Sequence, residues 1–374
     1  MTDAEYNAVF KLPFKEAESF FKEKLNIPTE RWDDLWRDEH AKGFMSAGAQ
    51  KAELLSGLRN AVEKSIAGGM TKKEFAAEFD NLAATHGWSY KGGRNWRSAL
   101  IYDTNITTAY QAGRWQQFQE GGTQYLKYVH ADGVMNPRPQ HVAWNGTVLP
   151  IDHEFWRTHY PPNGWRCHCR AVRAEAPQVT PEPAGWRGID PKTETMTGID
   201  KGWDYNVGQA GAAPGYRALT QKFETLPPEI AKEWMKEFVK EPAFAQFIDG
   251  KIKGDFPVAV LDKKEMEVLD TKAQTVWFSS DSLAKNKGEI PTRSAGHPEL
   301  TLDDYRLIPE IIDSGEIYTR NDEKLIYLFR GDRVYRAVLK KTKDGSENYF
   351  LSLFLGSADT KTVRQALTKY ERIR

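Results

Sequence analysis

Apolar residues recur three and four positions apart through the first half of the chain and alternate singly through its last third. The first period belongs to amphipathic helices and the second to strands. Phe14, Ala17, Phe20, Phe21 and Leu25 mark a first helix, with Pro13 suited to its first turn. Trp32, Leu35, Trp36 and Phe44 mark a second amphipathic stretch. Leu54, Leu55, Leu58, Val62 and Ile66 mark a third, which Gly68-Gly69 ends. Thr71 and Glu74 form a capping box for the next helix, which continues through Phe75, Phe79 and Leu82. A longer helix is expected over 97–119, where Asp103, Thr104, Asn105, Thr107, Thr108 and Arg114 are unusually polar.

The period then changes. TQYLKYVHADG alternates like a strand, and residues 135–162 are rich in Pro, Gly, Asn and aromatic side chains with no long periodic run. Residues 174–215 read as a long connection, hugging a surface or crossing to a neighbour, and a helix pair follows in ALTQKFETL and PPEIAKEWMKEFV. Strands are expected at 256–261, 275–279, 324–330, 333–341 and 348–355. Gly331-Asp332 reads as a two-residue hairpin turn and Lys343-Asp344-Gly345 as a second, so the last three strands should form an antiparallel meander. One helix is expected in LTLDDYRLIPEIIDSG and a closing helix from Lys361 toward Arg372. The fold class is α+β. A mostly helical module with a loop-rich extension spans 1–173, an extended connection and helix pair span 174–249, and a small α+β domain with an antiparallel sheet spans 250–374.

Composition narrows the function classes. The 374 residues are 40% hydrophobic and 28% charged, which suits a folded soluble protein of at least two domains. Lys plus Arg and Asp plus Glu both number 52, so no global field draws the chain to nucleic acid or an anionic membrane. No stretch approaches the roughly 20 apolar residues of a membrane span, and MTDAEYNAVFKLPF lacks a signal-peptide pattern, so assembly in a bacterial cytoplasm is expected. Both cysteines, Cys167 and Cys169, lie in PPNGWRCHCRAV. On one strand their Cα atoms would be about 6.7 Å apart, which makes a disulfide between them strained.

RSALIYDTNITTAYQAGR, then LKYVHADGVMNPRPQHVAWNGTVLPIDHEFWRTHYPPNGWRCHCRAV, then GIDKGWDYNVG, occur in an order that resembles the phage Mu protein F-like, or phage head-morphogenesis, family. The resemblance implies a minor head protein of the virion, with phage portal and capsid proteins as partners. Beside it, the CHC segment admits three readings. Cys167, Cys169 and His141, the last chosen because the family motif has a histidine there, can form a structural zinc clip. The cysteines can instead pack as small apolar residues under Trp144, Trp156 and Trp165, or one can be a thiol nucleophile beside a histidine.

The stretch SSDSLAKNKGEIPTRSAGHPELTLDDYRLIPEIIDSGEI, followed by RVYRAVLKKTKDGSENYFLSLF, resembles the phage-borne barnase/EndoU/colicin/RelE-like nucleases. The resemblance singles out Lys285, the His297-Pro298-Glu299-Leu300 run and Ser352. Those residue types suit RNA cleavage without a metal cofactor, in which the ribose 2′-OH attacks the adjacent phosphorus. His297 is the expected general base or acid. Arg336 completes the catalytic set, and Arg330, Arg333, Lys340 and Tyr349 are expected to bind substrate, with Ser352 on the face of Phe350 and Phe354. This reading carries further expectations: tRNA as substrate, delivery of the domain into a host cytoplasm, and an immunity protein in the producing cell. Its rivals are a purely structural head protein with a non-catalytic nuclease-like fold, and a secreted polymorphic toxin that borrowed the head module.

Overall fold

The computed structural model describes residues 14–131, 136–191, 193–212, 216–217, 223–290, 296–319, 324–356 and 370–374. Contacts divide the chain at Ala213/Pro214, and each unit is described by itself. The helices of 228–248, assigned from sequence to a connecting segment, therefore belong to the unit that holds the sheet.

In the first unit, α1 (Lys15–Lys22), α3 (Ala52–Ile66) and α4 (Lys72–Thr85) pack on the long α5 (Arg94–Glu120). They do so through the faces that the three-four spacing marked: Phe20, Phe21, Leu54, Leu55, Leu58, Phe75 and Phe79 are all buried. The Thr71–Glu74 capping box forms in both directions. A short parallel pair, β1 (Leu25–Asn26) with β2 (Gly43–Phe44), bridges the region between α1 and α3.

The second amphipathic stretch is no continuous helix. Asp34 Oδ2 accepts the Glu30 and Arg31 amides at 2.7 and 3.1 Å, Glu39 Oε2 accepts the Trp36 amide at 2.5 Å, and Arg37 is left-handed at φ 48°. Carboxylates that capture backbone N–H groups compete with the helical ladder. Only α2 (Glu39–Lys42) is helical there.

The loop-rich half is organised by a three-stranded sheet with β3 (Tyr125–Val129) between β4 (Val148–Pro150) and β5 (Arg170–Ala174). Two single-turn helices, α6 (Pro139–Ala143) and α7 (Phe155–His159), lie between the strands in sequence. The connection from 176 onward hugs this unit. It contains the hairpin of β6 (Ile189–Asp190) and β7 (Thr195–Met196), then α8 (Val207–Ala212), and it buries Trp186, Trp203 and Val207. Asn206 fixes the start of α8, where its Oδ1 accepts the Gly208 and Gln209 amides while its Nδ2 donates to the Trp156 carbonyl.

The second unit is a seven-stranded sheet in the order β14-β10-β11-β12-β13-β9-β8. Helices α9 (Pro228–Phe238) and α10 (Pro242–Ile248) precede β8 (Asp255–Val260), α11 (Lys263–Leu269) and β9 (Thr275–Ser279). Next come α12 (Ser280–Lys287), α13 (Leu302–Arg306) and α14 (Ile308–Ser314). The strands β10 (Glu316–Thr319), β11 (Lys324–Arg330), β12 (Val334–Lys341), β13 (Asn348–Gly356) and β14 (Glu371–Arg372) complete it. The meander β11-β12-β13 is antiparallel as expected, whereas β13 and β9 run parallel.

Four details differ from the expectations. The first hairpin loop is residues 331–333, because Arg330 pairs with Val334. The helix of LTLDDYRLIPEIIDSG is two helices, with Pro309 in the first turn of the second. Of ALTQKFETL, residues 223–226 lie within the described residues, and Phe223–Thr225 forms a 3₁₀ turn there. Most of the closing helix, at 361–369, lies outside the described residues, and Glu371–Arg372 is a strand on β10.

Gly113 sets how closely α1 approaches α5. A Cβ there would lie 2.7 Å from the Ala17 nitrogen and 2.9 Å from Phe14 Cζ. Gly113→Leu should therefore destabilise the protein by about 1–3 kcal/mol. Urea unfolding followed by helical circular dichroism checks this, and an unchanged midpoint would remove the close crossing.

Candidate functional site

The cysteine segment is placed by strand pairing. Val129 of β3 pairs with Arg170 of β5, so the residues one step outward, His130 and Cys169, face each other just beyond the ladder. Cys169 Sγ lies 3.5 Å from His130 Nδ1. α6 brings in His141, whose Nδ1 is 3.6 Å from both Cys167 Sγ and Cys169 Sγ. The ligand-type atoms of His141, Cys167 and Cys169 all lie within 4.8 Å of one another.

His141 Nε2 is 2.8 Å from the Gly198 carbonyl oxygen. A carbonyl only accepts, so Nε2 carries the proton and Nδ1 turns its lone pair toward the sulfurs. Trp144 stacks on the same imidazole at 5.1 Å. His168, between the cysteines, is exposed.

Both cysteines are free thiols, so the strained disulfide does not form. They are buried, which leaves a thiol nucleophile without an open face to a substrate. A hydrogen bond from Cys167 pulls Cys169 toward the thiolate, and the same bond together with burial pushes the Cys167 thiol up. The remaining histidines of the segment are used elsewhere. His153 Nε2 meets Glu182 at 3.0 Å, and His159 stacks on Phe155, with burial and then His141 pushing it down to about 3. Trp165 packs against Trp32 and Trp203, and His141 is covered by Trp144.

The sheet face of the second unit gathers part of the nuclease-type set. Arg336 pairs across the sheet with Phe354, and Val338 with Ser352. The Arg336 guanidinium lies 5.1 Å from the Phe354 ring, and the His297 ring meets Phe354 edge-on at 4.6 Å. His297, Arg336, Ser352 and Phe354 thus share one face. Arg336 Nε is buried and has no hydrogen-bond partner among the described residues. His297 Nδ1 lies 3.0 Å from Glu299 Oε1. Phe350 is on the opposite face: Leu339 pairs with it while Val338 pairs with Ser352, so Leu351 is an extra residue that reverses the alternation.

Asn286 of α12 holds this region together. Past Phe350, β9 no longer pairs with β13, and the Leu353 amide donates instead to Asn286 Oδ1 at 2.7 Å. Asn286 Nδ2 donates to Tyr305 Oη, and the Asn286 carbonyl accepts the His297 amide at 2.5 Å. Lys285, next to it, is exposed on α12.

The expected substrate-binding residues are less concentrated. Arg333 meets the buried Asp304 at 3.3 Å, and Arg330 meets Glu316 at 3.4 Å. Tyr349 donates to Glu347 at 2.9 Å and accepts from Arg217. Lys340 pairs with Tyr349 across the sheet, on the face of Arg336. Burial raises the Asp304 pKa, and bonds from Tyr335 and Thr301 with the Arg333 charge outweigh it, so the carboxylate stays below its usual range.

A further concave feature was not legible in the sequence. Lys24, His40, Arg97, Trp165, Trp203 and Tyr205 line one pocket of the first unit. Lys24 Nζ donates to the His40 carbonyl at 2.5 Å, and burial, then Arg59 and Lys42, lower it to about 7. These positions span 24 to 205, so no local spacing marks them.

Residues 56–172, from within α3 to within β5, match the model of the Phage Mu protein F like protein family. The chain is 32% identical over 267 residues to a protein of Escherichia phage Mu provisionally named capsid assembly protein F, a match covering 60% of each chain. It is 28% identical over 267 residues to the Mu-like prophage FluMu F protein of Haemophilus influenzae, covering 60% of this chain and 64% of that one. The match therefore spans less than two thirds of either relative's length. No solved structure matches the chain significantly.

Removal of the Asn286 side chain should leave the buried Leu353 amide unsatisfied, at about 1–3 kcal/mol. Asn286→Leu is expected to lower stability by this amount and to broaden the His297 ring signals in NMR spectra. Wild-type stability in this variant would rule out the bridging role.

Proposed function

We propose that this chain is a capsid assembly protein of a Mu-like phage or prophage, acting in head morphogenesis and carried in the virion head beside portal and capsid proteins. The observation that carries this reading is the family match across 56–172, together with the relative named for capsid assembly. The surface of the first unit agrees with it. Trp32 and Trp96 are 39% and 48% exposed beside a groove that Tyr90 and Trp165 also line, and exposed aromatic side chains are what protein–protein contacts use. No helix among the described residues is long and apolar enough to cross a membrane.

A second reading concerns the unit at 214–374: an RNA-cleaving domain that uses no metal. It is favoured by one observation, that His297 and Arg336 flank Phe354 on the sheet face that also carries Ser352. In this reading His297 moves the proton of the attacking 2′-OH, Arg336 and Lys340 balance the charge of the pentacovalent phosphorus, and Ser352 holds a phosphate oxygen. Host tRNA as substrate, delivery with the genome and a protecting immunity protein belong to it. A secreted toxin built on the same module is distinguished by gene neighbourhood, since portal and protease genes mark a phage.

Mass spectrometry of purified heads should find this chain, and a phage lacking its gene should yield no DNA-filled heads. Normal yields of filled heads without it would overturn the first reading. For the second, bacteria induced to express the full chain should fragment their RNA, and His297→Ala should slow cleavage by roughly 10²–10⁴-fold. Intact RNA in both strains leaves the second unit without this activity.

A further inference from the structure

Two sulfurs and the His141 imidazole converge in the first unit, with His130 set against one of the sulfurs. Cys169 Sγ lies 3.5 Å from His130 Nδ1 and 3.6 Å from His141 Nδ1, and Cys167 Sγ lies 3.6 Å from His141 Nδ1. Zinc with sulfur at about 2.3 Å and nitrogen at about 2.0 Å places neighbouring ligands about 3.5 Å apart along a tetrahedral edge. All three observed separations have that length.

Thiol hydrogen bonds explain the cluster less well. The proton on His141 Nε2, fixed by the Gly198 carbonyl, leaves His141 Nδ1 with a single lone pair. Two sulfurs approach that one acceptor equally. One S–H can use it well, whereas a cation at the common centre uses every lone pair at once. The Gly198 contact is also the kind of outer partner that fixes the tautomer and aim of a metal-ligating imidazole.

We propose that His130, His141, Cys167 and Cys169 form a tetrahedral Cys₂His₂ zinc site that locks the end of β3, helix α6 and the 167–169 segment together. His141, Cys167 and Cys169 already lie within 4.8 Å of one another, and His130, held against Cys169, closes the fourth position by a side-chain adjustment. The two thiol protons leave to solvent on binding, and two thiolates with Zn²⁺ make a neutral centre, which suits its burial. Four protein ligands leave no open position, so the metal is structural. The inference rests on the geometry of the first unit alone and is independent of the chain's place in a phage head.

The test uses the full chain purified under reducing conditions. Elemental analysis should find one zinc ion per chain, and replacement by Co²⁺ should give the visible bands of tetrahedral cobalt with a thiolate charge-transfer band. His168→Ala should leave both unchanged. His130→Ala should weaken binding by more than the roughly 10–100-fold that outer partners cost. Trace zinc in the wild-type protein with no thiolate–cobalt band overturns the site, and wild-type affinity in His130→Ala overturns the four-ligand assignment. The cobalt measurement on the wild-type chain keeps the test valid where a variant fails to fold.

Discussion

The antiparallel ladder between Tyr125–Val129 and Arg170–Ala174 is the constraint on which the loop-rich half of the first unit depends. The chain between these strands has little regular structure of its own, so side chains must satisfy its backbone groups. The ladder brings its two ends together, and polar side-chain bonds then fix its interior. Tyr128 Oη donates to Asn163 Oδ1 at 3.0 Å, Tyr160 Oη donates to the Gln111 carbonyl at 2.9 Å, and Arg138 meets Asp200 at 2.7 Å. The two tyrosine bonds are strong because they are shielded from water and would be costly to leave unmade, whereas the Arg138–Asp200 pair is partly exposed. The meeting of His130 with Cys169 follows from the same register.

The second unit solves a different problem with comparable means. Its sheet buries Ala337, Leu339, Phe350 and Leu353 completely on one face, while Arg336, Val338 and Ser352 are half-buried on the other. β13 outruns its neighbour β9, and an unpaired strand edge inside a fold must find other donors and acceptors. Asn286 supplies them, and by the same set of bonds it holds the His297 backbone beside the half-polar face. A side chain that completes a sheet thereby also places the group with the most suggestive chemistry.

The fold was legible where local signals are strong and faint where they are distant. Three-four spacing identified α1, α3 and α4, because each buries one continuous face, and strand-like runs between turn residues located β8, β9 and the meander. The stretch around Trp36 misled because Asp34 and Glu39 capture backbone amides that the apolar pattern cannot weigh. β10 was hidden at the end of a helical run, and β14 is only two residues long. Of the sites, the CHC segment and His141 stood out by residue type. His130 became visible only through the register of its strand, and the pocket around Lys24 draws on residues too far apart in the chain for any motif.

The extra residue at Leu351 has an evolutionary consequence. Alternation in a strand is a parity, and a bulge changes it without altering composition or length elsewhere. Loss of that single residue would restore regular alternation and keep Phe354 opposite Arg336, whereas drawing it into the ladder would send Phe354 toward the apolar interior and Leu353 toward Arg336. The shared His297–Arg336–Ser352 face can therefore survive deletion of Leu351, yet a one-residue slip that pairs Leu351 with Val338 would dismantle it.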